Sequence, residues 1–200
     1  MNNRIRFIKT LKFESVDHPP LYPDGPWQDT LKRWEKEGLP VGINLQEYFQ
    51  LDGLKFEYAG PNTGVYPPFE EKTVYEDENT IIKIDCYGRK VRDFKNHTSM
   101  PEWLEFPVKN PEDFKKVIDE RFNPALVEER WTKEWEVKKG IWLKEQEKRD
   151  YLLLLDGGCY YGHLRNLCGV ETASYLFYDA PELIEEFLAL NERPGKGERV

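Results

Sequence analysis

The sequence predicts an α/β fold, and three observations carry that prediction. Leu152–Leu155 is short enough for a strand and has the unbroken apolar character of one buried on both faces. Strand-like and helix-like segments alternate along much of the chain, which favours parallel pairing through right-handed crossovers. Residues 72–95 instead alternate apolar and polar residues in short runs, which is typical of antiparallel strands. At 200 residues the chain suits one domain, or part of a larger domain such as an α/β barrel.

The N-terminal residues show helical spacing that prolines interrupt. Apolar residues recur at helical intervals on both sides of a proline-rich stretch, and asparagine is favoured at helix starts. Because a residue before proline is pushed to extended conformations, a strand is expected beside the prolines. The predicted elements are a helix from Ile5 to Phe13 capped by Asn2 or Asn3, a strand through Leu21 and Tyr22, a helix from Trp27 to Glu37 that stops at Gly38, and a short helix from Leu45 to Phe49.

The middle of the chain changes from loop-forming residues to alternating ones. Turn-rich separators lie between the short alternating runs, so an antiparallel meander inserted at residues 72–95 is the simplest assignment. Its predicted strands are Lys72–Tyr75, Thr80–Ile84 and Arg89–Arg92.

The C-terminal half is predicted to be helical around one strand. Asn110 followed by Pro111 and acidic residues is typical of a capped helix start, and the residues from Asp179 have capping-box spacing. Four helices are predicted: one that begins at Asn110, one from Ala125 to Glu147 with a break at Gly140, one from His163 to Leu167, and one that begins at Asp179. The strand Leu152–Leu155 lies between the second and the third helix. Polar residues 191–200 are predicted to be a disordered tail after a domain of residues 1–190.

A candidate site follows the leucine strand. Glycines after a buried strand let the backbone approach a ligand closely, and polar, aromatic and cationic side chains follow them together. We predict Asp156 as a catalytic acid or base. The predicted substrate-binding residues are Gly157, Gly158, Tyr160, Tyr161, His163 and Arg165, with His97 reaching the site from a second loop.

Each of these roles has a structural alternative. Asp156 has either a pKa raised by burial, suited to proton transfer, or only a loop-capping role. Arg165 and His163 either bind an anionic group together or have no role in binding. In the second case Arg165 pairs with Glu171 or Asp179, and His163 is merely exposed. Tyr160 and Tyr161 either pack on a flat ligand or only fill space at the opening of the predicted site. His97 either reaches the site or is a turn residue.

Composition excludes several classes of partner. A formal net charge of −8 argues against nucleic acid and anionic membrane surfaces, which demand clustered Lys and Arg. No apolar run approaches the roughly 18 residues of a spanning helix, and the first residues lack the apolar core of a signal peptide. Three cysteines form no CxxC pair and leave an odd number, which favours a reducing compartment. We therefore predict a cytoplasmic protein that acts on a small molecule.

Three segments together carry a resemblance to a known family. The first is Asp17–Pro20, read Asp-His-Pro-Pro after a short helix, and the second runs from Asn96 to Lys109. The third joins the glycines of Gly157–Gly169 to the Asp-Ala-Pro-Glu-Leu stretch within Tyr178–Leu183. In this order and spacing they resemble the uroporphyrinogen decarboxylase superfamily, which also holds corrinoid-dependent methyltransferases.

The resemblance implies a (β/α)8 barrel of the TIM type with its active site at the carboxyl ends of the strands. Family members are considerably longer, so it implies a partial barrel, whose missing C-terminal half or a second copy in a homo-oligomer would complete it. In the decarboxylases an acid stabilises a protonated pyrrole and CO2 leaves without a cofactor. In the methyltransferases zinc activates the methyl acceptor and a corrinoid is involved. The zinc ligands belong to the later half, so this chain is expected to hold neither metal nor cofactor.

The chain departs from the family pattern in two places. The region Leu21–Trp27 contains no arginine where decarboxylases carry an arginine-rich substrate motif, and Arg165 stands where their important tyrosine falls. Both differences argue against decarboxylation of uroporphyrinogen itself, and the missing arginine motif favours methyl transfer or an unassigned activity. Three functions stay open: carboxy-lyase chemistry on a tetrapyrrole, methyl transfer involving a methylated compound, or a truncated fragment without catalysis of its own.

Overall fold

The structure, a computed structural model, describes residues 1–146, 148–155 and 159–191. In chain order the described helices are α1 (Asn3–Leu11), α2 (Gln28–Lys36), α3 (Leu45–Tyr48), α4 (Pro111–Arg121), α5 (Lys133–Glu145), α6 (Tyr160–Asp179) and α7 (Pro181–Asn191). The described strands are β1 (Phe56–Ala59), β2 (Lys72–Glu76), β3 (Thr80–Ile84), β4 (Lys90–Phe94), β5 (Glu102–Glu105) and β6 (Leu152–Leu155). Two 3-10 turns, Pro124–Leu126 and Glu128–Arg130, precede α5. None of the helices described here is long and apolar enough to cross a membrane.

The strands form a parallel pair and an antiparallel sheet. β1 and β6 run parallel, with Phe56 opposite Leu152. β2 to β5 form an antiparallel sheet in chain order. The chain divides into two compact units: the first consists of Met1–Ala59 and Val137–Leu155, the second of Gly60–Glu136 and the described residues after Leu155. The parallel pair therefore belongs to the first unit and the antiparallel sheet to the second.

The prediction of a partial (β/α)8 barrel is wrong. The described residues hold a two-stranded parallel sheet and a separate four-stranded antiparallel sheet, with no closed or TIM-type arrangement of strands. β6 pairs with β1 alone among those residues, and Leu155 is 70% exposed, so burial on both faces is also wrong. Four leucines indicate a strand, but the number of strands beside it depends on residues far away in the sequence.

Several predicted elements are confirmed where short-range contacts define them. Asn2 Oδ1 accepts a hydrogen bond from Ile5 N at 2.8 Å and caps α1. Asn110 Oδ1 accepts from Asp113 N at 2.8 Å and caps α4. Gly38 follows α2 with φ +114°, a left-handed conformation in which a side chain would be strained. The meander is antiparallel as predicted.

Other predicted elements are wrong or have different bounds. Leu21 and Tyr22 form no strand; Leu21 N donates instead to Asp52 Oδ2 at 2.8 Å, and the nearby prolines lack the N–H groups that a ladder needs. β1 and β5 lie where no strand was predicted. The long helix expected from Ala125 is two 3-10 turns followed by α5, which continues through Gly140. The short helix expected from His163 to Leu167 is confirmed within the first part of α6, which begins at Tyr160 and is interrupted at Gly169, where φ is +74°.

The second unit is built around an apolar core. α4, α6 and α7 turn helical stripes of apolar residues toward one another, and Phe187 lies 5.5 Å from Phe114 and 5.0 Å from Phe122 between ring centroids. Burying each such side chain contributes about 1.5–3 kcal/mol. The buried members are Val65, Val108, Phe114, Val117, Ile118, Phe122, Leu164, Leu167, Cys168, Ala173, Leu176, Ala180, Ile184 and Phe187.

The first unit contains a buried arginine with acidic partners. Arg6 of α1 is 6% exposed; its guanidinium donates to both carboxylate oxygens of Asp17 at 2.8 Å and to Asp52 Oδ1 at 3.0 Å. The hydrogen bond from Arg6 holds the pKa of Asp17 well below its usual range. Asp52 also accepts from Leu21 N and donates its own N–H to the carbonyl of Leu21 at 3.0 Å. The network ties α1 to the segments that follow α1 and α3.

Candidate functional site

A groove at the start of α6 brings together two of the predicted site residues, His163 and Arg165. Its volume is about 480 Å³, and all of its lining residues belong to the second unit. They come from the start of α6, from the turn between β3 and β4 and from the loop after β1. The lining residues are Pro61, Asn62, Thr63, Gly64, Tyr87, Cys159, Gly162, His163, Arg165 and Asn166.

Helix α6 begins at a cysteine cap. Cys159 has extended backbone angles, and its Sγ accepts a hydrogen bond from Gly162 N at 3.3 Å. A Cβ at position 162 would lie 2.6 Å from that sulfur, so a larger residue would displace the cap. The first N–H groups of a helix lack partners within the helix and favour negative charge beside them. The start of α6 therefore adds positive potential to the groove.

A second wall of the groove is a loop held by Arg130. This arginine is 3% exposed, and its Nη1 donates to the carbonyl oxygens of Asn62 at 2.9 Å and Gly64 at 2.8 Å. Nη2 donates to the carbonyl of Arg121 at 2.9 Å. Burial lowers the pKa of Arg130, yet a guanidinium stays charged at neutral pH. Because the buried Arg130 guanidinium binds the carbonyl oxygens of Asn62 and Gly64, this loop has a defined conformation without a ligand.

Arg165 supplies a positive charge to the groove. Its side chain is exposed, and within residues 1–146, 148–155 and 159–191 it forms no ion pair, so the alternative pairing with Glu171 or Asp179 is not formed there. A second arginine, Arg89, is paired with Asp85 at 2.8 Å and is already neutralised. The groove therefore keeps the Arg165 guanidinium available to a ligand.

Arg89 also orients a polar side chain of the groove. Its Nη1 donates to Asn166 Oδ1 at 3.0 Å, while Nε donates to Asp85 Oδ2 at 2.8 Å. Because Asn166 uses its oxygen on Arg89, its amide N–H2 group is the part that can donate to a ligand. The groove thus combines a guanidinium and an amide donor on adjacent residues of α6.

His163 is buried, so the alternative prediction that it is merely exposed is wrong. It is 7% exposed, and its ring stacks on Tyr87 with 6.4 Å between centroids and 25° between planes. Phe122 meets the same ring edge-on at 6.4 Å. These contacts make His163 part of the groove wall, held by aromatic neighbours from the turn after β3 and the end of α4.

Three further predicted site residues that the structure describes, Tyr160, Tyr161 and His97, do not line this groove. Tyr160 and Tyr161 are exposed on the first turn of α6. His97 stacks on Phe94 with 4.8 Å between ring centroids, just after β4. The predicted residues that lie outside the described part of the chain are Asp156, Gly157 and Gly158. β6 belongs to the first unit and the groove to the second, so the leucine strand supplies none of the groove's lining residues.

The cysteines differ in their surroundings. Cys168 is buried in the core of the second unit, and burial raises the pKa of its thiol to about 12. Cys159 is exposed at the groove, and both thiols are free. Burial therefore shields the thiol of Cys168, whereas the thiol of Cys159 is accessible to solvent. Within the residues that the structure describes, no group of His, Cys, Asp and Glu side chains fits a metal ion such as zinc.

Sequence reasoning missed the residues that complete the groove. Asn62 and Gly64 lie among loop-forming residues before the meander, and Tyr87 lies in a turn-rich stretch between two of its strands, so neither pattern indicates a site. Nothing in the local pattern indicates that Arg130 is buried, because two glutamates directly precede it in a charged stretch. The one available signal was the glycine and asparagine content of the loop, which is typical of a close approach to another element.

Comparison with known proteins leaves the family of this chain open. No protein-family model, no curated protein and no solved structure matches it. The resemblance to the uroporphyrinogen decarboxylase superfamily consequently rests on its three sequence segments alone, and any function assigned to the groove is a proposal.

Proposed function

We propose that the groove at the start of α6 binds a small carboxylate-bearing ligand, as the binding portion of a protein related to uroporphyrinogen decarboxylases. The observation that carries this proposal is the Arg165 guanidinium, which no described acidic residue neutralises, beside the start of a helix. A carboxylate there would accept charge-assisted hydrogen bonds from Arg165 and an ordinary one from the Asn166 amide. The helix start would favour the same negative charge.

The size of the groove limits what it holds. Its volume of about 480 Å³ lies within the range of small-molecule sites, about 300–1,000 Å³. A single carboxylated pyrrole fits this volume better than a complete tetrapyrrole does, so a macrocycle would present one carboxylated edge to the groove. Tyr160 and Tyr161, next in sequence to lining residues, offer exposed rings on which the rest of a flat ligand could pack.

Within this proposal, decarboxylation is preferred to methyl transfer, because a cation in the groove suits a substrate whose reacting side chains are carboxylates. Asp156 keeps its proposed role as the acid that stabilises a protonated pyrrole. A non-catalytic binding fragment is the alternative, and turnover distinguishes the two: an enzyme releases CO2 from the bound pyrrole, whereas a binding fragment retains the ligand unchanged.

Binding of porphobilinogen, a single pyrrole with two carboxylates, tests the proposal by isothermal titration calorimetry. We expect saturable binding of the acid and at least tenfold weaker binding of its dimethyl ester, about 1.4 kcal/mol. Arg165→Gln is expected to weaken binding of the acid by about tenfold, because one charge-assisted hydrogen bond is lost. Arg33→Gln is the matched control, since Arg33 is an exposed arginine of α2 in the first unit. Equal binding of acid and ester, or no effect of Arg165→Gln, would contradict the proposal.

A further inference from the structure

A large apolar cavity lies within the first unit and shares no residue with the α6 groove. Its volume is about 770 Å³. The loop before α2 lines one part, α2 contributes Trp34, and α3 with the residues after it contributes Phe49. Pro23 and Pro26 restrict the backbone of the loop, because each fixes its own φ. The cavity is thus formed by two short helices and a loop whose backbone conformation is restricted by its prolines.

Three aromatic rings line the cavity, and contacts with other rings hold them. Trp34 meets Phe49 edge-on, with 6.3 Å between centroids and 68° between planes. Tyr22 packs against Phe56 with 4.8 Å between centroids. Rings that are held in this way lose little further side-chain entropy when a ligand binds against them. An aromatic lining of this kind attracts apolar groups and, through the negative ring faces, cations.

Two carboxylates line the same cavity, but one of them is neutralised. Asp52 accepts hydrogen bonds from the Arg6 guanidinium at 3.0 Å and from Leu21 N at 2.8 Å. Asp24 is exposed and makes neither a hydrogen bond nor an ion pair within the described residues. None of the described lining residues is Lys, Arg or His. The cavity therefore carries one uncompensated negative charge beside three aromatic rings.

We infer that this cavity binds a small organic cation with an apolar body, of the class of quaternary or tertiary ammonium compounds. The ring faces of Trp34 and Tyr22 attract the cation, Asp24 supplies the opposite charge, and the remaining apolar lining covers the body of the ligand. An anion would be repelled by Asp24, and a neutral apolar molecule would partly desolvate that carboxylate without pairing it. The site is independent of the proposed carboxylate groove.

Titration of the full chain with benzyltrimethylammonium tests this inference, with the indole N–H signal of Trp34 followed by two-dimensional NMR. The Trp34→Phe variant assigns that signal among the six tryptophans. Benzyl alcohol and phenylacetate serve as the neutral and anionic comparison ligands. We expect a saturable shift with the cation, at least fivefold weaker binding of benzyl alcohol, and no shift with phenylacetate at the same concentrations.

Two substitutions distinguish a cation site from a simple apolar pocket. Asp24→Asn is expected to weaken binding of the cation by about fivefold and to leave benzyl alcohol unaffected, because an exposed charge pair contributes up to about 1 kcal/mol. Glu47→Gln on α3 removes the same charge from an exposed residue outside the lining and should change neither ligand. Benzyl alcohol binding as tightly as the cation, or an Asp24→Asn variant with unchanged affinity, would overturn the inference. Asp24 is exposed, so its substitution leaves the fold intact.

Discussion

Among the residues that the structure describes, each unit buries one arginine, but the two arginines have different partners. Arg6 in the first unit donates to two carboxylates, whereas Arg130 in the second donates to three backbone carbonyl oxygens. The hydrogen bond to Asp17 raises the pKa of Arg6, while burial lowers the pKa of Arg130. Both arginines connect segments that are distant in the sequence, so both define loops that helix and strand patterns leave open.

The difference in partners determines how each arginine contributes to stability. Carbonyl oxygens do not take up protons in the acid range, so the contribution of Arg130 should not depend on pH there. Carboxylates do, so the contribution of Arg6 should decrease in acid. The Asp17 side chain is 43% exposed, and water can solvate it when Arg6 is removed. Arg130 is 3% exposed and donates to three carbonyl oxygens, which would all lose their donor together, so the loss of Arg130 should cost more.

Arg130→Met is expected to have the largest effect, a loss of about 3 kcal/mol in the free energy of unfolding, because three carbonyl oxygens lose a charged donor at once. Native-state hydrogen exchange at the amide of Phe122, which bonds to Ile118 O at 3.0 Å, measures the loss within the second unit. Arg33→Met on exposed α2 is the control and should change that value by less than about 0.5 kcal/mol. A loss below about 1 kcal/mol for Arg130→Met would show that water replaces the guanidinium.

The fold was predictable from the sequence where the stabilising contacts are short in range. The Asn110 cap involves Asp113, three residues later, and β3 pairs with β4 across a short turn. The partner of Leu152–Leu155 is Phe56–Ala59, almost a hundred residues earlier, and no local pattern identifies it. The barrel prediction failed at this point, because an apolar run resembles an interior strand even when one strand alone lies beside it.

The candidate site was predictable on its helix but not on its loop. His163 and Arg165 were predicted because they follow glycines after an apolar run. Asn62 and Gly64 reach the groove because Arg130 binds their carbonyls from 68 and 66 residues away. A third of the chain is charged, so a buried arginine has the same sequence appearance as an exposed one. The loop that forms the second wall of the groove could therefore not be predicted from the sequence.

Arg6→Met tests the other half of the comparison and should have a smaller effect, less than about half the loss of Arg130→Met, because one of its two carboxylate partners, Asp17, is 43% exposed and can be solvated by water. Exchange at the amide of Asp52, which bonds to the carbonyl of Leu21 at 3.0 Å, reports on this network within the first unit. Lys9→Met on the same helix removes an exposed cation near Glu14 and should leave the Asp52 amide unchanged. Comparable losses for the two arginine variants would mean that carboxylate and carbonyl partners hold a buried guanidinium equally well.

The smallest expected effect is a dependence on pH that belongs to Arg6 alone. The pKa of Asp17 is lowered in the folded chain by its hydrogen bond to Arg6, so the stabilisation is complete above the unfolded value of about 3.9 and is lost as pH falls below it. The thermal midpoints of the wild type and Arg6→Met should therefore approach each other as pH falls below about 4 and on through the lowered pKa of Asp17, while those of the wild type and Arg130→Met stay apart. The carboxyl carbon signal of Asp17, followed by ¹³C NMR, should titrate below the unfolded value in the wild type and near it in Arg6→Met. A titration midpoint that Arg6→Met leaves in place would show that backbone hydrogen bonds, such as the one from His18 N at 3.1 Å, hold the carboxylate instead.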